Sequence, residues 1–382
     1  MPEKSSASDG RSPDVSLPPS PVPMVMPMVV IVGPTASGKS ALAVELARRW
    51  GGEVVNYDSV QVYRGFDVGS GKLRPEERHG VPHRLLDVVD AGQVFTAGDY
   101  RREAIAVLAQ LRERGRLPVL VGGTGLYLRA LLQGLFEGPQ RSETLRARLR
   151  GVVHRRGGAF LHRILRRLDP TTAARIHPND TQKVLRAVEV CWLAKEPMSR
   201  LLARDRNVEG TGLTGQAGQL SQAGQVGQIR QIGLQGYQTI KVGLDPDRAA
   251  LYQRINARVE RMFREGLLFE VRAAPPGEGP ETNYPGTAFV RREARRAERG
   301  VAGKPLEALG YRQACAFVRG EITMEVAVRD TQTATRQYAK RQMTWFRREA
   351  GVRWFQGFGD DSEIQRQVAD WVTERLGDRA IE

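Results

Sequence analysis

Eight consecutive residues, Gly33, Pro34, Thr35, Ala36, Ser37, Gly38, Lys39 and Ser40, satisfy the pattern G-x-x-x-x-G-K-[ST] at every position. The chemistry of such a run is anion capture. Its glycines let backbone amides curl around a phosphate, and a helix opening at its end adds the partial positive charge of an N-terminus. Lys39 brings a point charge to the outer phosphate, and the Ser40 hydroxyl is placed to hold Mg²⁺. The pattern is that of nucleotide-binding, commonly ATP-binding, chains. It specifies a phosphate ligand, but neither ATP nor the bond that breaks.

Two other positions stand where a ligand at this loop would be reached. Asp58 follows the β-rich run Glu53–Tyr57, which places it at the carboxyl edge of a sheet. A carboxylate there can take a proton from an incoming nucleophile; a helix cap or a surface charge would use the same residue. Ser59, Gln61 and Tyr63 are polar enough to help position a substrate. The second position is Gly122-Gly123-Thr124, after the run Leu117–Val121. An acidic residue is usual there in motor and signalling NTPases, so its absence weakens that class. The glycines fit either close approach of a bulky ligand to bare backbone or a tight strand-to-helix turn. His83 and His177 lack partners at metal-ligand spacing and read as hydrogen-bonding residues. Cys191 and Cys315 are the only cysteines, as expected of a reduced, cytoplasmic protein.

The elements that must carry these residues alternate. Met28–Val32, Glu53–Tyr57, Leu117–Val121 and Thr239–Leu244 read as strands, with Val352–Phe355 as a closing strand. Ser40–Trp50, Asp99–Arg114, Arg248–Phe269 and Thr331–Glu349 read as helices. In the last of these, Ala339, Met343 and Phe346 form an apolar stripe, and Arg336, Lys340 and Arg347 a separate basic one. The fold class expected is α/β: a P-loop NTPase-like parallel sheet flanked by helices, with an all-helical insertion domain. The core domain spans 28–140 and 237–358, and the Arg-rich helical insertion spans 141–205. Residues 1–27 read as a disordered tail, and Met24, Met26 or Met28, just before or at the first strand, is a candidate for the true start. Residues 206–236 are a Gly/Gln-rich flexible connector, 274–304 a surface loop helical in part from Phe289 to Arg299, and 359–382 a C-terminal helix or tail. The run Val22–Val32 is apolar but broken by prolines and lacks a basic leader, so neither a membrane span nor a signal peptide is expected. A formal net charge of +15 favours a polyanionic partner, although a generally basic proteome would produce the same excess.

Taken together, GPTASGKS at 33–40, YDSVQVYRG at 57–65, PHRLLDV at 82–88, LVGGTGLYL at 120–128, RIHPND at 175–180, LGYRQ at 309–313 and TRQYAKRQMTWFR at 335–347 resemble the tRNA dimethylallyltransferases, or tRNA isopentenyltransferases, in that family's order. The resemblance runs from residue 28 to about 355, and other P-loop proteins share only its first motif. It implies transfer of a dimethylallyl group from dimethylallyl diphosphate to the exocyclic amine of the adenosine on the 3′ side of a tRNA anticodon. The phosphate loop would then hold a leaving diphosphate. By resemblance, Asp58 is the base, Thr35 lies beside the reacting groups and Arg258 supports the diphosphate. Asp58, Ser59, Val60, Gln61, Thr124, Arg146, Gln182, Lys183, Arg186, Gly310, Tyr311, Arg312, Lys340, Arg341, Gln342 and Arg347 fall in segments that meet tRNA in that family. The partners implied are the tRNA anticodon stem-loop and dimethylallyl diphosphate, with Mg²⁺ as cofactor, no membrane, and a monomeric protein. Glu307 departs from the family, some members of which carry a basic residue there. A small-molecule P-loop kinase is the alternative. It leaves LGYRQ and KRQMTWFR unexplained.

Overall fold

The computed structural model describes residues 25–135, 138–211, 234, 236–273 and 304–377. Most of the expected N-terminal tail, most of the Gly/Gln-rich segment and the loop expected at 274–303, with its partial helix from Phe289 to Arg299, lie outside the described residues. The first strand, β1 (Met26–Val32), leads into helix α1 (Lys39–Arg49). Then come β2 (Glu53–Asn56), β3 (His83–Arg84), α2 (Ala97–Glu113), β4 (Pro118–Val121) and α3 (Gly125–Gln133). Five helices follow without a strand: α4 (Glu143–Arg156), α5 (Gly158–Leu168), α6 (Pro170–Arg175), α7 (Thr181–Ala194) and α8 (Met198–Thr211). The chain closes with β5 (Tyr237–Leu244), α9 (Arg248–Glu265), α10 (Leu267–Ala273), α11 (Tyr311–Val318), α12 (Met324–Phe346), β6 (Val352–Phe355) and α13 (Ser362–Leu376).

The six strands form one sheet in the order β3-β2-β4-β1-β5-β6, and every pairing is parallel. Register makes the two faces legible. Val54, Val119, Val29 and Ile240 are cross-strand neighbours and face the layer of α1 and α13. The next row, Val55, Leu120 and Val30, faces α2 and α3. Both faces are covered, so these strands can be apolar at successive positions. β1 lies between β4 and β5, and its carboxyl end feeds the phosphate loop.

Several element ends differ from the sequence expectation for identifiable reasons. β1 starts at Met26 because Met26 and Pro27 pair with Tyr237 and Gln238 of β5. α2 starts at Ala97 because Thr96 caps it, with reciprocal Thr96 and Asp99 bonds forming a capping box. Gly266, at φ 150, ends α9, so the helix expected over 248–269 is two helices. Thr323 caps α12 well before residue 331. The backbone from 206 to 211 continues helix α8, where the flexible connector was expected to begin. β3 is only two residues long and carries no alternation that could have announced it.

The helical insertion has a core of its own, built from Leu149, Leu161, Leu165, Val184 and Val188. Within it, Glu189 is fully buried and accepts bonds from Arg146, Arg186 and the Ser142 amide. Those arginine and amide bonds pull the Glu189 pKa below its ordinary value against the opposing effect of burial.

Residues 359–382 were set apart as a C-terminal helix or tail. In the structure α13 is a wall of the sheet core: Ile364, Val368, Ala369 and Val372 pack with α1 and the strands. The segment before it reaches further, since the Gly359 amide donates to the Ser37 carbonyl at 2.8 Å. Ile364→Ala should therefore cost about 2–5 kcal/mol of folding free energy. Urea denaturation checks this, and an unchanged midpoint would remove α13 from the core.

Candidate active site

The phosphate loop has the backbone its sequence demands. Gly33 and Gly38 have φ of 148° and 80°, and Ala36 is also left-handed at 65°. A side chain on Gly38 would strike Asp360 and the Gly359 amide, so glycine is required there for space as well as for φ. The Lys39 ammonium donates to the Pro34 carbonyl at 2.5 Å. Burial and the neighbouring Arg258 guanidinium lower its pKa to about 7, and Asp58 partly opposes this. Burial and the guanidinium of Arg261 likewise lower the Arg258 pKa. The loop therefore faces a crowded set of cations with Asp58 as their counter-charge, an arrangement that a bound polyanion would relieve. Ser37 Oγ is buried with no hydrogen-bond partner.

Asp58 Oδ1 accepts from the amides of Val60 at 2.9 Å and Gln61 at 3.4 Å. Its own amide is held by Asn56 Oδ1 at 3.0 Å. The other carboxylate oxygen, Oδ2, lies toward Gly123, where an added Cβ would come within 2.8 Å of it. Gly122 is closed in the same way by Tyr57 and Gly125 by the Trp345 indole. Close approach at the Gly122–Gly125 turn is thus made by this chain's own residues, and no bulky ligand is needed to account for the glycines.

Gln342 joins the two sides of the site. Its Oε1 accepts from the Thr35 amide at 2.8 Å, and its Nε2 donates to the Gly123 carbonyl at 2.9 Å. The Tyr338 hydroxyl, one helical turn earlier, donates to the same carbonyl at 3.0 Å. A cavity of about 910 Å³ opens beneath them, lined by residues 35–40 of the phosphate loop, Asp58, Gln61, Arg258 and Gln342. Expected site residues from four distant stretches of sequence thus meet at one space. Gly33 and Pro34 shape the loop from behind, Pro34 through the carbonyl that holds Lys39.

The other expected residues sit elsewhere. Thr124 Oγ1 accepts from the Ser59 amide at 2.9 Å and donates to Ser59 Oγ at 3.1 Å, bracing the Asp58 turn together with the half-buried Val60. Lys340, Arg341 and Arg312 are exposed, and Arg347 is exposed and paired with Asp245. Gln182 and Lys183 are exposed at the start of α7. Three residues expected to meet tRNA are turned inward. Arg146 is bound to buried Glu189, which also holds Arg186. Tyr311 is fully buried, with its hydroxyl on Glu270, at the start of the helix that Gly310 caps. Gln342 is 5% exposed and committed to the bridge just described. Sequence reasoning missed Tyr338, Arg254 and Arg261 on the cavity wall. Tyr338 and Gln342 share one helix face at i, i+4, a spacing that could have grouped them, but nothing local names their partner.

Of the two histidines, His83 Nδ1 meets the Val81 carbonyl at 2.8 Å and His177 Nδ1 accepts from the Asn179 amide at 3.2 Å. Among the described residues no group of three or more His, Cys, Asp and Glu side chains could hold a metal. A magnesium ion suits the donors in a different way. Mg²⁺ prefers one or two protein oxygens together with phosphate and water, and the Ser40 hydroxyl lines the cavity at the phosphate loop. Nor is any helix among the described residues long and apolar enough to cross a membrane.

The family model for IPP transferases matches residues 61–349. A tRNA dimethylallyltransferase of Koribacter versatilis is 47% identical over 337 residues, covering 88% of this chain and 95% of that relative. One of Solibacter usitatus is 46% identical, covering 92% of this chain and 100% of the relative. Among solved structures, the tRNA isopentenylpyrophosphate transferase of Bacillus halodurans aligns with a TM-score of 0.57 and 33% identity, over 92% of this chain and 96% of that one. A eukaryotic dimethylallyltransferase captured acting on tRNA shares the fold, with a TM-score of 0.62 at 24% identity over 84% of this chain and 70% of its own. A match over most of the chain, with identity this high across nearly the full length of the relatives, places this protein in the IPP transferase family.

Proposed function

We propose that this protein transfers a dimethylallyl group from dimethylallyl diphosphate to the N6 amine of the adenosine 3′-adjacent to the anticodon in tRNA, releasing diphosphate. The observation that carries the reading is the meeting of an anion loop and the strand-end carboxylate Asp58 across one cavity. It is supported by the names of the relatives. The small-molecule kinase alternative has no comparable support.

The allylic carbon–oxygen bond breaks as the nitrogen–carbon bond forms. Negative charge grows on the departing diphosphate, in the cavity that the loop, Lys39 and Arg258 line. The Ser40 hydroxyl would hold Mg²⁺, and that ion would supply charge neutralisation to the leaving group. The amine proton passes to Asp58, whose Oδ2 is turned away from the amides that hold Oδ1. The target base must leave its stack to enter the cavity. On this reading the exposed basic residues Lys340, Arg341, Arg312 and Lys183, the last also paired with Asp180, meet RNA phosphates. Arg146 and Arg186 act one step back, by holding the insertion together through Glu189. The protein works on this reading as a cytoplasmic monomer.

Asp58→Ala should retain donor and tRNA binding while single-turnover transfer to unmodified tRNA falls by roughly 10²–10⁴-fold. An unchanged rate would remove Asp58 as the base. Transfer of label from ATP alone, without RNA, would instead favour the kinase.

Lys39 has a pH signature. With its pKa at about 7 in the free protein, binding a diphosphate draws a proton onto it whenever the pH is higher. Below that pH the ammonium is already formed and this contribution is flat. Above it, donor affinity should weaken with rising pH, approaching tenfold per unit, or about 1.4 kcal/mol. Calorimetry in buffers of different ionisation enthalpy reads the proton uptake. Lys39→Arg, which stays charged, should abolish the lysine's share of the slope.

A further inference from the structure

Asp67, Val68, Ser70, Gly71 and Lys72 line the same cavity as the phosphate loop, and the shape of the 66–72 segment is imposed from outside. It makes a tight turn in which the Gly71 amide bonds to the Val68 carbonyl and the Lys72 amide to the Asp67 carbonyl. Such a turn leaves the amides at its start without partners inside it, as at the start of a helix. Successive free amides form an anion-binding concavity. Here a carboxylate of the chain fills it. Glu270 Oε1 accepts from the amides of Asp67 at 2.8 Å and Val68 at 2.5 Å, and Oε2 from the amide of Gly69 at 3.1 Å. The Tyr311 hydroxyl completes the set, donating to Oε2 at 2.8 Å.

The far end of this turn touches Arg258 and Gln61 on the cavity wall. The guanidinium of Arg258 occupies the space where a side chain on Gly71 would be. Gln61 Nε2 donates to the Ser70 and Gly71 carbonyls at 3.2 and 3.3 Å, and the Gln61 amide donates to Asp58 Oδ1. The turn therefore fixes Gly71, and Gly71 is the surface against which Arg258 is seated. We infer, on the transfer reading above, that Glu270 is a positioning residue for the diphosphate: it sets the 66–72 turn, and through Gly71 it sets Arg258. Glu270 itself lies outside the cavity lining and touches no substrate. Its carboxylate charge is the active feature, because an amide in its place offers one oxygen to three backbone donors.

The test is a double-mutant cycle on the full chain, with inorganic diphosphate and dimethylallyl diphosphate as probes. Glu270→Gln should weaken the binding of both by about tenfold or more, while the affinity for tRNA stays within about twofold. In an Arg258→Ala background the same change should cost about twofold or less, because the residue through which it acts is gone. A donor affinity unchanged in Glu270→Gln, an equal loss of tRNA affinity, or a full multiplication of the two penalties would overturn the assignment. Should Glu270→Gln fail to fold, Tyr311→Phe removes one of the four bonds and keeps the buried ring. It should give a smaller loss of donor binding with the same dependence on Arg258, and no loss would count against the assignment. If the unaltered protein neither binds diphosphate nor prenylates tRNA, the transfer reading itself falls.

Discussion

Gln342 spans a gap that backbone hydrogen bonding does not close. The phosphate loop follows β1 and the Gly122–Gly125 turn follows β4; these strands are sheet neighbours, but their loops diverge at the carboxyl edge. One carboxamide, donating on one side and accepting on the other, holds both. A carboxamide offers both roles from a single side chain. Because α12 carries it, the geometry of the anion loop depends on a helix more than 300 residues further along the chain, a separation of 307 between Thr35 and Gln342. Tyr338 and Trp345 seal the same turn from the same helix. The glycines at 123 and 125 are what allow that helix to come so close.

The site's electrostatics follow from this closure. Bringing the elements together buries Lys39 and draws Arg258 beside it, with Arg261 next to Arg258, and both burial and the Arg258 charge depress the Lys39 pKa. A protein that kept such a cluster only for stability would gain little from it, because desolvated like charges repel. An anionic ligand changes the sign of that interaction. The fold's charge distribution therefore favours an anion in the cavity.

A different economy governs the helical insertion. Its arginines are numerous, but two of them serve a buried glutamate. Breaking a buried ion pair leaves an uncompensated charge, so these arginines are committed to structure before any RNA arrives. Lys183 at the start of α7 is exposed, and its partner in the ion pairs is the surface carboxylate of Asp180. Net positive charge therefore overstates the surface that can meet a nucleic acid.

Much of this protein could be read from its residues in order. The phosphate loop was legible because its geometry is local: glycine positions set φ, a lysine and a serine follow at fixed offsets, and a helix begins at once. The alternation of strands and helices was legible for the same reason, since the periodicity of apolar residues reports which face is buried. Asp58 was legible as a strand-end carboxylate. What the residues alone did not decide was who meets whom. Arg146, Tyr311 and Gln342 belong to motifs that suggest contact with RNA, yet Glu189, Glu270 and the Thr35 amide claim them. The same holds for α13, an ordinary amphipathic helix in sequence that becomes a wall of the sheet. Hydrogen bonds across tens or hundreds of residues depend on the path of the whole chain, and no short window of sequence contains that path. Local conformation is set by each residue and its neighbours, whereas the partners of a buried polar group are settled only when the elements pack.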